Sequence, residues 1–161
     1  MKIDVVAVGK LKEKFWREAC AEYGKRLTRY VDLRIVEIDD RDPAKCGGEA
    51  KAMQAEGADI AKAVAKMPDG PERHVVCLDI GGKQMSSEQF AQFVEDKALE
   101  GCKDLVFVIG GSTGIDPEVK AQAQTLLSFG KITMPHNLAR VVLLEQVYRA
   151  YRIIRGEPYH K

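Results

Sequence analysis

A buried strand that opens directly into a glycine-rich loop is the feature that most constrains how this chain can fold. Residues 104–109 are Asp-Leu-Val-Phe-Val-Ile, and Gly-Gly-Ser-Thr-Gly follows at 110–114. The short apolar, β-branched run predicts a strand. Three glycines in five residues remove side chains where the strand ends, so a ligand can reach the backbone amides. Because open α/β sheets bind ligands at the carboxyl ends of strands, we expect a ligand site here, with a plain tight turn as the alternative.

Strands and helices alternate along the rest of the chain. The predicted strands cover residues 2–8, 33–39, 74–80 and 104–109, and a further short strand ends at Pro135-His136. The predicted helices cover residues 13–29, 48–66, 87–100 and 137–155. This alternation predicts an α/β fold with a mainly parallel sheet flanked by helices. At 161 residues, with no long linker, the chain is expected to form a single domain over 1–161.

Composition limits the cellular context and the cofactor classes. No apolar run approaches the ~20 residues that cross a bilayer, so no membrane association is expected. The four cysteines lie far apart in sequence, without the close pairs that zinc sites use. We therefore predict reduced thiols in a cytoplasmic protein, and no bound metal.

Charge is unevenly distributed along the chain. The net charge is only +1, which argues against a simple nucleic-acid binder. Residues 131–161, however, carry six basic and two acidic side chains, whereas residues 71–130 carry five and nine. Because attraction to phosphate depends on where charge lies, the C-terminal part is expected to contact a polyanion. The alternative is a solvated helix face followed by a tail.

The helix at 137–155 is too apolar to bury only one face. At about 100° per residue, one wide apolar stripe forms along it. This stripe comprises Leu143, Leu144, Val147, Ala150, Tyr151 and Ile154. Val141, Val142, Tyr148 and Ile153 fall outside it. These residues need a second partner, which we predict to be another subunit in a homodimer. A helix sandwiched within one subunit is the alternative.

Taken together, these segments resemble one family closely. The matching motifs are Met-Lys-Ile-Asp-Val-Val-Ala-Val-Gly-Lys (1–10), Leu-Asp-Ile-Gly-Gly-Lys (78–83), Val-Phe-Val-Ile-Gly-Gly-Ser-Thr-Gly (106–114), Leu-Ser-Phe-Gly-Lys-Ile-Thr-Met-Pro-His (127–136), Arg-Val-Val-Leu-Leu-Glu-Gln-Val-Tyr-Arg-Ala (140–150) and Pro-Tyr-His-Lys (158–161). End to end, the chain resembles the ribosomal RNA large subunit methyltransferase H family, small SPOUT methyltransferases with a trefoil-knotted α/β fold. Asn137 departs from the glutamine more usual there.

The resemblance implies a reaction, a cofactor and partners. The reaction is S-adenosyl-L-methionine-dependent methylation of N3 of a pseudouridine in a 23S rRNA stem-loop, on assembled ribosomes. The family also implies a homodimer whose cofactor cleft and target site lie near the subunit interface. The residues that match the family's cofactor pocket are Leu78, Gly110, Phe129, Gly130, Lys131, Ile132, Thr133 and Met134.

Methylation of N3 requires one imide proton to be removed, and no metal is needed for this chemistry. His136, Tyr159 and His160 are the candidates to accept or relay that proton. Arg140 and Arg149 are candidates to hold phosphate or the developing negative charge, and Arg152 could extend a phosphate track. A structural role for His136 and a disordered tail are the alternatives.

Two rival functions stay open at this point. A nucleotide-dependent enzyme with an unknotted Rossmann sheet would use Asp39 or Asp40 to hold a ribose, although Val8-Gly9-Lys10 lacks the fingerprint glycines. A non-catalytic ribosome-binding factor would explain the basic C-terminal part but not the glycine loop.

Overall fold

A five-stranded sheet organises residues 1–67 and 72–159, the part of the chain that the computed structural model describes. The strands are β1 (Lys2–Val8), β2 (Asp32–Ile38), β3 (Arg73–Gln84), β4 (Asp104–Ile109) and β5 (Thr125–Ser128). The helices are α1 (Lys14–Leu27), α2 (Pro43–Cys46), α3 (Glu49–Ala65), α4 (Ser87–Leu99), α5 (Pro117–Gln122) and α6 (His136–Ile154). The predicted α/β class, with a mainly parallel sheet flanked by helices, is confirmed.

All recorded strand pairs are parallel, in the order β2-β1-β4-β3-β5. The registers place Lys2 opposite both Asp32 and Asp104, so the amino ends of β2, β1 and β4 are level. The carboxyl ends of the strands therefore meet along one edge of the sheet. At that edge lie Gly9 and the glycine loop 110–114.

Alternating side chains fill two cores, one on each face of the sheet. Val5 and Phe107 face a core with α1, α4 and α6, whereas Val6 and Val108 face a core with α3 and α5. All six residues of β4 are buried, because the strand is covered on both faces. The four cysteines are free thiols, and Cys20, Cys77 and Cys102 are buried. No helix among the described residues is long and apolar enough to span a bilayer.

Two boundaries differ from the prediction by more than two residues. The strand expected to end at Pro135-His136 is wrong: β5 ends at Ser128, and a loop covers 129–135. The Ser128 hydroxyl accepts a hydrogen bond from the Gly130 amide at 3.1 Å, and Gly130 has a φ of +118°, so the chain turns away from the sheet there. β3 extends to Gln84, past a register shift between Leu78 and Lys83.

Sequence analysis also missed the short helices α2 and α5. Each begins with an aspartate whose side chain accepts from the backbone amide two residues later, at 2.9 Å from Ala44 and 2.7 Å from Glu118. In each, proline occupies the first turn, where no amide is needed. Asp-Pro, at 42–43 and 116–117, is the signal that could have revealed them.

α6 lies between α1 and α4 within one chain. Tyr148 is buried there, with its ring 5.8 Å from that of Tyr30 and 6.4 Å from that of Tyr23. The assumption that Tyr148 lacks a partner within the subunit is therefore wrong. Ile153 stays 38% exposed and Val142 is only partly buried, so these residues still await the predicted second subunit.

Candidate active site

A cleft of about 530 Å³ opens at the carboxyl ends of β3, β4 and β5. This volume lies in the ~300–1,000 Å³ range of small-molecule sites. Seven of the predicted cofactor residues line the cleft: Leu78, Gly110, Phe129, Gly130, Ile132, Thr133 and Met134. Lys131 is exposed and is not among the lining residues. The tertiary structure thus brings together segments that are far apart in sequence.

The glycine loop is shaped by contacts within itself. A Cβ on Gly110 would lie 2.7 Å from Ile115 Cγ1 and 2.8 Å from the backbone of Gly114. Gly111 and Gly114 form an isolated bridge, and Gly114 has a φ of +89°, which favours glycine. Glycine at 110 is therefore required by the turn, and access of a ligand to the loop amides stays a prediction.

Exposed apolar side chains border the cleft. Ile80 is 56% exposed and Ile132 is 81% exposed. The loop that carries Ile132 is anchored by Ser128, whose hydroxyl oxygen lies 3.1 Å from the Ile80 carbonyl oxygen. Exposed isoleucines at the mouth of a concave site are typical of a surface that an apolar or aromatic ligand covers.

Asp79 is a lining residue that sequence analysis did not select. One carboxylate oxygen accepts from the Gly81 amide, and the other lies 2.9 Å from Lys120 Nζ. The hydrogen bond from Lys120 and then that from Gly81 hold the pKa of Asp79 below its ordinary value. The signal was present in Leu-Asp-Ile-Gly-Gly-Lys, where an acidic residue directly follows Leu78.

His136 begins α6 and lines the end of the cleft. Its ring packs against the turn after β1, where a Cβ on Gly9 would lie 2.7 Å from His136 Nε2. Burial lowers the pKa of His136, and the charge of Arg140 lowers it further. The imidazole is therefore neutral near pH 7 and can accept a proton.

Arg140 does not lie where the sequence predicted. It is 1% exposed, and its guanidinium donates to Glu37 Oε1 at 2.6 Å and to the Gly9 carbonyl at 2.7 Å. Phosphate cannot reach a side chain that is 1% exposed, so one chain does not offer Arg140 for the predicted phosphate contact, although Arg140 Nε has no hydrogen-bond partner among the described residues. The residue instead holds the Gly9 turn against which His136 packs.

Arg149 on α6 and Tyr159, which follows the helix, form a separate cluster. Both contact Glu145: Arg149 Nη2 lies 2.7 Å and the Tyr159 hydroxyl 3.0 Å from its Oε1. The Arg149 guanidinium also lies 4.2 Å from the centre of the Tyr159 ring. Burial, together with the hydrogen bond to Glu145, raises the pKa of Tyr159 to about 12, so here it is a donor and not a base.

One chain does not bring this cluster to the cleft. Arg149 lies thirteen residues after His136 on α6, which corresponds to about 20 Å along the helix axis. Arg152 is likewise engaged, with Nη1 2.8 Å from the Tyr148 hydroxyl and Nε 2.8 Å from Glu157. His160 lies outside the described residues.

Within residues 1–67 and 72–159, no group of three or more His, Cys, Asp or Glu side chains could hold a metal ion. The cleft presents apolar walls, glycine backbone and the imidazole of His136.

Comparison with known proteins identifies the family. A family model described as "Predicted SPOUT methyltransferase" matches residues 1–160. Ribosomal RNA large subunit methyltransferase H of Carboxydothermus hydrogenoformans is 47% identical over 161 residues, covering 100% of both chains. Proteins of the same name from Bifidobacterium adolescentis and Listeria welshimeri are 49% and 45% identical, again over 100% of both chains. The structure of a probable methylase family protein from Haemophilus influenzae Rd KW20 has a TM-score of 0.53 at 11% identity, covering 99% of this chain and 70% of that one, which shows a shared fold. The chain therefore belongs to the SPOUT methyltransferases, in the family of ribosomal RNA large subunit methyltransferase H.

Proposed function

We propose that this protein methylates large-subunit rRNA, with S-adenosyl-L-methionine as the methyl donor. The observation that carries the proposal is the cleft, where residues 78, 110, 129, 130 and 132–134 of a methyltransferase chain converge. The names of the full-length relatives support rRNA as the substrate. At finer detail, we propose N3 of a pseudouridine in a 23S rRNA stem-loop as the methyl acceptor and the assembled ribosome as the substrate particle.

The cleft residues fit the cofactor. Leu78, Ile132 and Met134 offer apolar surface to an adenine ring, and the exposure of Ile132 leaves that surface open. Gly110 and Gly130 leave backbone amides and carbonyls accessible to its polar edge. When bound, the cofactor would supply an electrophilic sulfonium methyl group.

The contribution of the protein would be alignment and removal of one proton. His136 lies at the end of the cleft as a neutral imidazole, so it is our candidate to accept the N3 proton. The apolar walls would exclude water and thereby strengthen polar interactions with the target base. No metal is required for either task.

A homodimer would explain the separation of the two clusters. Arg149 lies about 20 Å from His136 along α6, which is too far for joint action within one chain, and Tyr159 packs against Arg149. We propose that the cleft and target site lie near a subunit interface that includes α6, so that the C-terminal residues of a second copy approach the cleft. Sedimentation should show a dimer at micromolar concentration, and Ile153→Asp should weaken it by burying a charge.

Calorimetry with S-adenosylhomocysteine tests the cofactor site. Ile132→Asp should weaken binding at least about tenfold, because a carboxylate would replace apolar surface at the ligand. Leu99→Asp is the matched control, since Leu99 is 80% exposed on α4, away from the cleft, and should leave affinity unchanged. Equal affinity for all three proteins would remove this cleft as the cofactor site.

The same calorimetry distinguishes the two rivals. Preference for a nicotinamide nucleotide would favour a Rossmann-type enzyme, and absence of binding would favour a non-catalytic ribosome-binding factor. Mass mapping of rRNA nucleosides from a strain that lacks the gene tests the substrate. The N3-methylated pseudouridine should disappear and should return when the protein is added to ribosomes from that strain.

A further inference from the structure

An exposed aromatic pair lies among basic side chains directly after the Gly9 turn. Phe15 is 59% exposed, and its ring centre lies 4.8 Å from that of Trp16. Lys12 and Lys14 flank the pair and are exposed. We call Lys12, Lys14, Phe15 and Trp16 the basic–aromatic patch. Phe15 gains little from this position within the subunit, since a large exposed aromatic ring leaves apolar surface in water.

The patch follows the Gly9 turn, which packs against His136 at one end of the cleft. Gly9, whose turn contacts the His136 ring, is three residues before Lys12. The charges of Glu13 and Lys12 are near enough to act on the pKa of His136. A nucleic acid strand that delivers a base to the His136 end of the cleft could therefore contact this surface.

The segment that carries the patch is held in place before any partner binds. The Gly9 amide donates to the Ile38 carbonyl at 2.8 Å. The Arg17 guanidinium donates to the Leu11 carbonyl at 3.1 Å and also to the Lys12 carbonyl. Leu11 packs against the core. Such order lowers the entropic cost of binding, because little backbone freedom remains to be lost.

Charge indicates which partner fits. Residues 10–17 carry four basic side chains and one acidic side chain, so the surface suits a polyanion. Lys14 has an ion pair with Glu18 at 3.5 Å, but both side chains are more than half exposed, so the pair contributes little and can open.

We infer that the basic–aromatic patch binds an unpaired RNA segment beside the target nucleotide. One base stacks on Phe15, and the neighbouring phosphates contact Lys12 and Lys14. Aromatic rings recognise single-stranded RNA in this way because every base has a π face, and the gain is about 1–3 kcal/mol per base. The inference rests on the proposed function, and it assigns the patch to substrate binding and not to the chemical step.

Methyl transfer to ribosomes, with a series of Phe15 variants, tests this inference. Phe15→Ala should raise KM for ribosomes about tenfold, with kcat and the affinity for S-adenosylhomocysteine unchanged. Phe15→Tyr keeps a stacking ring and should be near parental, whereas Phe15→Leu keeps apolar surface only and should resemble alanine. Lys12→Gln should reduce, by about one, the slope of the logarithm of the ribosome-binding constant against the logarithm of salt concentration. Leu99→Ala, a change at another exposed apolar residue, is the matched control.

Three outcomes would overturn the inference. These are a parental KM in Phe15→Ala, full restoration by leucine, and dissociation of a dimer by Phe15→Ala in sedimentation. The last would show that the patch contacts a second copy. Failure of the proposed function looks different, because the parental protein would then transfer no methyl group. In that case cosedimentation with large ribosomal subunits still measures the patch, and equal binding by parent and Phe15→Ala would reject it.

Discussion

Replacing Arg140 by alanine should destabilise this protein by about 3 kcal/mol. The side chain is 1% exposed and donates at 2.6 Å to Glu37 Oε1 and at 2.7 Å to the Gly9 carbonyl. A hydrogen bond that involves a charged group contributes about 1.5–3 kcal/mol, and a carbonyl left unpaired adds a desolvation penalty. Breaking a fully buried ion pair costs about 3–5 kcal/mol. Glu37 is 35% exposed, so water can rehydrate it, which places the estimate at the lower end of that range.

Arg149→Ala is the matched control on the same helix. Arg149 is 26% exposed and pairs with Glu145 one turn earlier, so its removal should cost about 1 kcal/mol or less. Urea denaturation followed by circular dichroism measures both free energies of unfolding, with protein concentration held constant because dimerisation would shift them. For a chain of this length, 3 kcal/mol corresponds to a fall in Tm of about 6–12 °C.

A decrease of less than about 1 kcal/mol in the free energy of unfolding of Arg140→Ala would refute a structural role for Arg140. A larger decrease in Arg149→Ala than in Arg140→Ala would refute it as well. It would also fail if Arg140→Ala left stability intact but reduced the salt dependence of ribosome binding. That result would restore the phosphate contact predicted from sequence.

Two further predictions concern the surroundings of the glycine loop. Gly110→Ala should lower Tm, because its Cβ would lie 2.7 Å from Ile115. The same change should lower the affinity for S-adenosylhomocysteine about tenfold or more. A Cβ at Gly114 would meet no atom within 4 Å, so Gly114→Ala should lower the free energy of unfolding only by the ~1–2 kcal/mol of a positive φ. If Gly114→Ala and Gly110→Ala lost affinity equally, the contact with Ile115 would not be the cause at Gly110. Glu56 is 3% exposed beneath this loop, and burial raises its pKa above the ordinary 4.5. As pH rises, the unfolded chain therefore releases the Glu56 proton at a lower pH than the folded chain does. The free energy of unfolding consequently falls as pH rises from about 4.5 through the pKa of Glu56 in the folded protein. Glu56→Gln cannot ionise, so the Tm of this variant minus that of the parent should increase between pH 4 and pH 7. A Tm difference that does not change with pH would show that Glu56 ionisation does not cause the loss of stability.

Local sequence determined the elements and their order. β1 at Lys2–Val8 and β4 at Asp104–Ile109 have the predicted bounds, because short apolar runs bounded by glycine have few alternatives to a buried strand. α4 likewise begins with a capping box formed by Ser86 and Gln89, a local sequence signal whose hydrogen bonds all lie within four residues. The eight cofactor residues, by contrast, were predicted from the resemblance to a known family, because no single position among them indicates a ligand.

Tertiary structure alone decided what the charged side chains do. Arg140 is an arginine on an amphipathic helix, and nothing within one turn of it reveals that Glu37 and Gly9 bury it from more than 100 residues away. Asp79 likewise acquires its partner, Lys120, only when β3 and α5 come together. A side chain's burial and pKa depend on distant atoms that fill the space around it, and local periodicity carries no information about them. For the same reason, the contacts of Tyr159 with Glu145 and Arg149 are visible only in the folded chain.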